Sequence, residues 1–443
     1  MIVVGAGPTG LTAALALRAA GLPATVLEAE PVDRVRPGSR ALFVHNRTLR
    51  LLAGLNPELA EEIAHRAVVW PTRETYYRGR LVYSRSYPPH SGGLPPFASL
   101  RQVETERLLL AACERAGVRF EWGTGVTTVS TGPEAVTLET GDGRRWSSGY
   151  VIAADGARSA VRRSLGVRLH GPRPRGFHVV VDLAEDPNRP MPPRRIFRYE
   201  HPALDGRTVL QVPFAGGWQI DLQCRDTDAP ETFDSVEAAR RWLPAVVPER
   251  YRDRILWVAR YQFHQVVADR LTDGHHRVLL AGEAAHLFPP FGARGMNSGI
   301  ADAVAAAEAV AAADADPTAV PRYAARRTRR PATTGTRPGP RCVTCGRGGR
   351  CGSGSAAAPP WHRWSRRSAG GWRRRPTDLV RARPPRASTD RGWKEQPRTR
   401  SSRPSHHLVG QLRLVTAGRA SQLRTPRGAG GVRRTSIAAF CGG

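Results

Sequence analysis

Ile2-Val3-Val4-Gly5-Ala6-Gly7-Pro8-Thr9-Gly10-Leu11 stands at the head of the chain, directly after Met1. Three apolar, β-branched residues run into G-x-G-x-x-G, and an apolar helical run, Leu11–Ala20, ends at Gly21, a residue suited to a helix C-cap. Gly5 permits the tight turn. Gly7 lets the backbone approach a pyrophosphate. Gly10 allows close packing of helix on strand, and the helix N-terminus then faces the phosphates. Pro8 and Thr9 complete the loop. Ala24–Leu27 reads as a second strand, and Glu28 ends it 18 residues beyond Gly10, near where an acid binds ribose hydroxyls. With strand, helix, second strand and acid in register, the segment predicts a dinucleotide site in an α/β fold. It does not separate NAD from FAD.

Outward from this unit, residues 1 to about 165 alternate strand and helix signals. Val103–Ala116 predicts a helix, with Leu108, Leu109 and Ala112 at helical spacing, and Tyr150–Ala154 predicts a buried strand. From about 170 to 265 the runs become short, β-branched and aromatic, as in Phe177–Asp182, Thr208–Pro213 and Trp218–Gln223, with Gly, Pro and Asp between them. This predicts an antiparallel sheet inserted into the α/β domain. Residues 277–312 return to strand, loop and helix, and the pattern fails after about residue 316.

Two further stretches narrow the cofactor. Tyr150-Val-Ile-Ala-Ala-Asp155-Gly156-Ala-Arg158-Ser159 is similar to the Asp-Gly motif of the FAD-dependent aromatic hydroxylases with the p-hydroxybenzoate hydroxylase-like fold. The segment Arg277 to Asn297, containing Gly282-Glu283, His286, Pro289-Pro290, Gly292 and Gly295-Met296-Asn297, resembles that family's Gly-Asp motif and the loop after it. The resemblance runs from residue 1 to about 315, with its motifs in order. It implies a Rossmann-like FAD-binding domain (1–169 and 271–315) carrying a mainly antiparallel β-sheet substrate domain (170–270). Residues 316–443 are then an Arg/Pro/Gly-rich tail, expected to be disordered or frameshifted.

The resemblance implies site residues as well. The acid of the Gly-Asp motif holds the ribitol of FAD, a place taken here by Glu283. The glycine loop brings backbone amides to the flavin ring, where amides at a helix start after Asn297 would stabilise negative charge on reduced flavin. Arg40 stands where the family has an arginine near the flavin, and Gln102 matches a glutamine that contacts FAD. Ala293 replaces a common second glycine and is tolerable if its φ stays below zero. The activity implied is that of a monooxygenase in which NAD(P)H reduces FAD, O2 forms a flavin C4a-hydroperoxide, and oxygen passes to a phenolic or polyketide-like ring. The flavin then carries the chemistry, so no catalytic residue is assigned. His286 and Pro290 are candidates beside the flavin, His286 as a shaper of the loop more than as a base. Gln211, Trp218, Gln223, His45 and Tyr77 are unranked substrate-side candidates. A non-hydroxylating flavin oxidoreductase of the same fold and an inactive truncated or frameshifted product remain as alternatives. No second G-x-G-x-x-G follows a strand, so NAD(P)H is expected to bind transiently. The W-x-W-x-I-P signature of flavin-dependent halogenases is absent, Gly216-Gly217-Trp218-Gln219-Ile220-Asp221 being the nearest segment.

Charge first points elsewhere. The 443 residues carry 67 Lys+Arg against 38 Asp+Glu, a net charge of +29 that invites a nucleic-acid partner. Only Lys394 is lysine, which points to nucleotide composition of the gene, since phosphate contacts can use either cation. Residues 331–443 hold 24 basic and 3 acidic side chains, and the other 330 residues account for only +8. Within the tail only 12 of 113 residues are Leu, Ile, Val or Phe, too few to build a core. Trp361, Trp364, Trp372 and Trp393 could stack on RNA bases, yet no specific nucleic-acid partner is expected. Tyr323-Ala-Ala-Arg-Arg-Thr-Arg-Arg-Pro331 echoes a family segment without its Glu, which places a change of reading frame near 315–331. The short strand before Gly5 suggests a start upstream of Met1. The N-terminus lacks the basic leader of a signal peptide, and no apolar stretch of about 18 residues spans a membrane. A cytoplasmic protein is expected. Cys113 and Cys224 read as core thiols. Cys342, Cys345 and Cys351, with His362, are a poor zinc set.

Overall fold

The computed structural model describes residues 1–34, 41–88, 92–173, 176–262, 264–289 and 293–334. Five short strands lie parallel in the order Val278–Leu280, Val151–Ala153, Ile2–Val4, Thr25–Leu27, Arg119–Glu121. Ile2 is in register with Val151 on one side and Thr25 on the other. The three strands Val278–Leu280, Val151–Ala153 and Ile2–Val4 are buried along their whole length, which is why they read as unbroken apolar runs. The helix Pro8–Ala19 packs on two others, Gln102–Arg115 and Arg294–Ala312. It is buried from Gly10 to Leu17, so it is apolar on all sides and shows no stripe in its sequence.

A second sheet of seven strands runs in the order Ile255–Tyr261, His178–Ala184, Gly217–Gln223, Arg207–Phe214, Arg194–His201, Thr72–Tyr77, Arg80–Ser86. It differs from the expected antiparallel insert in two ways. Its last two strands come from residues 72–86, and Arg194–His201 pairs parallel with Thr72–Tyr77. The hairpin at its edge turns on Arg78 and Gly79, whose φ values of 49° and 78° match the twist of a two-residue type I′ turn. An arginine in the first turn position hides that signal in the sequence. One face of the sheet buries Val179, Val181, Val209, Trp218 and Ile220 against Trp242 and Tyr251. The other packs Val212 and Phe214 on Leu42, Trp70 and Phe97.

The ordered pattern also continues past 316. Ala319–Thr334 is a helix packed on Arg294–Ala312. Its contacts come from Ala319, Val320, Tyr323 and Arg327, one face at helical spacing, while Arg322 and Arg326 are exposed. Arginines on the outer face lower the mean hydropathy and disguise the amphipathic helix. The tail's Cys342, Cys345, Cys351, His362 and four tryptophans lie outside the described residues. Among the described residues no helix is long and apolar enough to cross a membrane, and no cluster of His, Cys, Asp and Glu could hold a metal. Cys113 and Cys224 are buried free thiols, each pushed up to about 12 chiefly by burial.

Candidate functional site

The motifs read from the sequence meet at one edge. Gly5, Glu28, Asp155 and Gly282 lie just past the carboxyl ends of four neighbouring parallel strands, the place where open α/β sheets bind ligands. Gly5 has φ +96°, and a Cβ there would stand 2.6 Å from Ala154 O. A Cβ on Gly10 would stand 1.8 Å from Gly5 O. Both glycines are therefore required by packing. Gly7 is different: a Cβ there meets nothing within 4 Å. The open space at Gly7 lies at the N-terminus of Pro8–Ala19, which has no side-chain cap and no acid in its first turn. Free amides and a positive helix end face that space.

Glu28 is buried. Its Oε2 accepts from the Ala6 amide (2.5 Å) and its Oε1 from the Glu30 amide (3.0 Å). Arg34, which sequence reasoning missed, lies 3.2 Å from Glu28 Oε2, donates to Ala6 O (2.8 Å) and stacks 5.1 Å from the Trp122 ring. The carboxylate keeps acceptor capacity beyond these bonds.

Asp155 Oδ2 accepts from the Val161 amide (3.1 Å), while its buried Oδ1 has no hydrogen-bond partner. Burial holds this carboxyl above its usual range. Gly156 has φ +78° and turns the chain into the short helix Ala160–Ser164, capped by Ser159. Arg162 on that helix donates to Ala284 O (3.2 Å) and Ala157 O (2.9 Å), joining the Asp-Gly turn to the Gly282 turn.

Gly282 has φ +61° and lies against Thr9, whose Oγ1 would be 2.6 Å from an added Cβ. Gly299, unremarked in the sequence, closes on the same Thr9 Oγ1 at 2.3 Å from an added Cβ. Thr9 is thus wedged between two glycines, which fixes the glycine loop against the helix Arg294–Ala312. Glu283 is exposed, and no hydrogen bond or ion pair holds it among the described residues. An orphaned Asp155 oxygen, an unengaged Glu283 and the open space at Gly7 fit a bound dinucleotide with hydroxyls and a pyrophosphate to satisfy.

His286 does not face outward. Its Nε2 lies 2.6 Å from Asp302 Oδ2 inside the protein, and the same oxygen accepts from the Gly282 amide (3.1 Å). Asp302 Oδ1 accepts from Arg327, and Tyr323 donates to Leu280 O (2.6 Å). Burial raises the Tyr323 phenol well above its ordinary value. This arrangement holds the Gly282 turn from behind.

Asn297 donates to Phe43 O (2.7 Å) and Ala293 O (2.7 Å) and accepts from the His45 amide (2.9 Å). It pins the strand Phe43–His45 to a helix that begins at Arg294, four residues earlier than a start after Asn297 would require. The free amides at this helix start therefore include those of Gly295 and Met296. Met296 is buried, and a Cβ on Gly295 would meet nothing within 4 Å. Ala293 is left-handed, with φ 49° and ψ 45°, not the negative φ expected of an alanine. Gln102 opens its helix, but its amide donates to Glu106 Oε1 (2.8 Å). Arg40, Pro290 and Gly292 lie outside the described residues.

The substrate-side candidates separate. Trp218 is core and donates to Glu185 Oε2 (2.8 Å). Gln211 is buried on that same packed face and accepts from Arg198 (3.0 Å). Gln223 is exposed, and Tyr77 donates to Glu200 Oε1 (3.1 Å). His45 alone of the five is tied to Asn297.

The FAD binding domain family matches residues 1–336. An anhydrotetracycline 6-monooxygenase that is also a 12-dehydrotetracycline 5-monooxygenase, from Streptomyces rimosus, is 33% identical over 325 residues, 69% of this chain and 61% of the relative. The para-nitrophenol 4-monooxygenase of a Pseudomonas strain is 32% identical over 327 residues, 70% of this chain and 77% of the relative. The crystal structure of p-nitrophenol 4-monooxygenase from Pseudomonas putida DLL-E4 superposes with a TM-score of 0.63 at 26% identity, over 75% of this chain and 85% of that one. The chain spans under two thirds of the length of the tetracycline relative. A match over residues 1–336, on a sheet whose carboxyl edge gathers Gly5, Glu28, Asp155 and Gly282, places this chain in the FAD binding domain family.

Proposed function

We propose that this protein is an FAD-dependent monooxygenase that uses NAD(P)H and O2 to hydroxylate an aromatic substrate, phenolic or polyketide-like. The observation that carries the reading is the convergence of Gly5–Gly10, Glu28, Asp155-Gly156 and Gly282-Glu283 at one sheet edge. Both curated relatives are named as monooxygenases of a nitrophenol or of tetracycline intermediates, which supports the substrate class.

In this reading the loop of Gly5, Gly7, Pro8, Thr9 and Gly10 would cradle the pyrophosphate, with the first-turn amides of Thr9 and Gly10 facing it, and Glu28 would take ribose hydroxyls. Asp155, Gly156, Gly282 and Glu283 would hold the ribitol side. Pro290, Gly292, Gly295, Met296 and Asn297 would shape the backbone beside the flavin, with Arg40 and Gln102 near it. FAD supplies the redox and oxygen chemistry when bound. The chain's part is to position the substrate between the helix start at Arg294 and the large sheet, and to exclude water. Residues 170–270 with the hairpin 72–86 would form the substrate side, and the rest of 1–169 with 271–334 the cofactor side.

Purified protein tests this directly. A flavin absorbance spectrum is expected, with NAD(P)H oxidation stimulated by a phenol and a product heavier by one oxygen. NAD(P)H oxidation that never yields an oxygenated product would select a non-hydroxylating flavin oxidoreductase. A colourless protein that takes up no FAD would defeat both readings.

A further inference from the structure

Arg195 and Arg73 are directly paired across neighbouring strands, and Arg73 is in turn paired with Arg85. Residues opposite one another share a face, so the three arginine side chains leave the same face of three neighbouring strands. Aromatic rings surround them. Arg195 Cζ lies 4.6 Å from the Phe197 ring centroid, 5.9 Å from Trp70 and 6.0 Å from Phe43. Arg73 Cζ lies 5.7 Å from the Tyr83 centroid and 5.9 Å from Phe197.

Among the described residues no carboxylate pairs with any of the three. The opposite face of the same strands behaves normally: Arg194 lies 3.0 Å from Glu74, and Arg198 donates to Gln211 (3.0 Å). Arg73 Nε is buried without an acceptor. Burial, with Arg73 adding repulsion, pushes the Arg195 guanidinium down to about 10. Like charges placed opposite one another cost stability; the aromatic rings offset part of that cost, and no carboxylate among the described residues offsets the rest. An arginine fork matches a carboxylate in shape and charge. The location suits a ligand too. The Phe43 ring walls Arg195, while the Phe43 carbonyl is bonded to Asn297 in the first turn of the helix assigned to the cofactor side.

We propose that Arg195, supported by Arg73, binds the carboxylate of an aromatic acid whose ring lies among these aromatic side chains. The proposal deepens the monooxygenase reading, since it rests on this face being the substrate side.

Calorimetric titration of the full-length protein with 3-(3-hydroxyphenyl)propionate and with its primary amide reads the site without requiring turnover. The acid should bind at least tenfold more tightly than the amide. Arg195→Met should bring the two within about twofold while leaving the flavin content and circular dichroism unchanged, and Arg195→Lys should keep part of the preference. Equal binding of acid and amide, binding of neither, or a preference that survives Arg195→Met overturns the proposal. The monooxygenase reading is judged separately by oxygenated product from neutral phenols. A preference seen in protein that holds no flavin would keep this site and defeat that reading.

Discussion

Asp302 Oδ2 lies 2.6 Å from His286 Nε2, with the two side chains 1% and 3% exposed. Arg327 completes the cluster on the other carboxylate oxygen. A buried ion pair adds little net stability over an apolar replacement, but removing one partner strands the other charge. Asp302→Ala should therefore cost about 3–5 kcal/mol in urea denaturation. Combining it with Arg327→Met should recover part of that loss, a coupling a double-mutant cycle measures. Additive losses would show that Arg327 does not act through Asp302.

Ala293 is an alanine in the left-handed region, with φ 49° and ψ 45°. That conformation costs an L-residue about 1–2 kcal/mol, against roughly 0.5–1 kcal/mol of extra unfolded-state entropy for glycine. Ala293→Gly should raise stability by about 0.5–1 kcal/mol and lift the thermal midpoint seen by circular dichroism. An unchanged or lower midpoint would mean that the turn relaxes to negative φ in solution.

How much of this was legible from the sequence depends on how local each signal is. The strand Ile2–Val4, the glycine loop and the helix Gln102–Arg115 obey rules that act over a few residues, and all were readable. The hairpin Thr72–Ser86 was not, because its tie to Arg194–His201 joins residues more than a hundred positions apart. The helix Ala319–Thr334 was missed because four inward contacts carry it while arginines dominate its composition. Asp302 stands in an alanine-rich run with no local motif around it, and only packing reveals its role under Gly282. Arg34 and Gly299 had no sequence signal, since their meaning comes from Glu28 and Thr9 across the fold.

Asp155 carries an acid raised by burial, with bonds from Ser159 and the Val161 amide opposing the shift. A raised folded-state value makes ionisation a cost. The cost is absent below the unfolded value, near pH 3.9, grows as pH rises to the folded value, and is constant above it. In flavin-free protein Asp155→Asn should thus be at least as stable as the parent at pH 7, since Asn Oδ1 can still accept from Val161. The advantage should shrink toward pH 4. Paired urea titrations at the two pH values give the sign. A variant destabilised at pH 7 would mean that the carboxylate has a partner favouring its charge.

Gly7 and Gly10 separate packing from binding within one motif. An added Cβ on Gly10 would stand 1.8 Å from the Gly5 carbonyl oxygen, in backbone that cannot yield. On Gly7 it would meet no atom within 4 Å, and the backbone there, φ −78° and ψ −180°, is open to any residue. Gly10→Ala should therefore fail to give soluble folded protein, or melt far below the parent. Gly7→Ala should keep the parent's circular dichroism and lose no more than about 1 kcal/mol, the scale of an N-cap change. Its flavin should nevertheless fall at least tenfold in the ratio of flavin to protein absorbance, because the methyl group occupies the space where backbone would approach a pyrophosphate. A Gly7→Ala protein that keeps its full flavin content would place the pyrophosphate elsewhere and remove the glycine loop from the site.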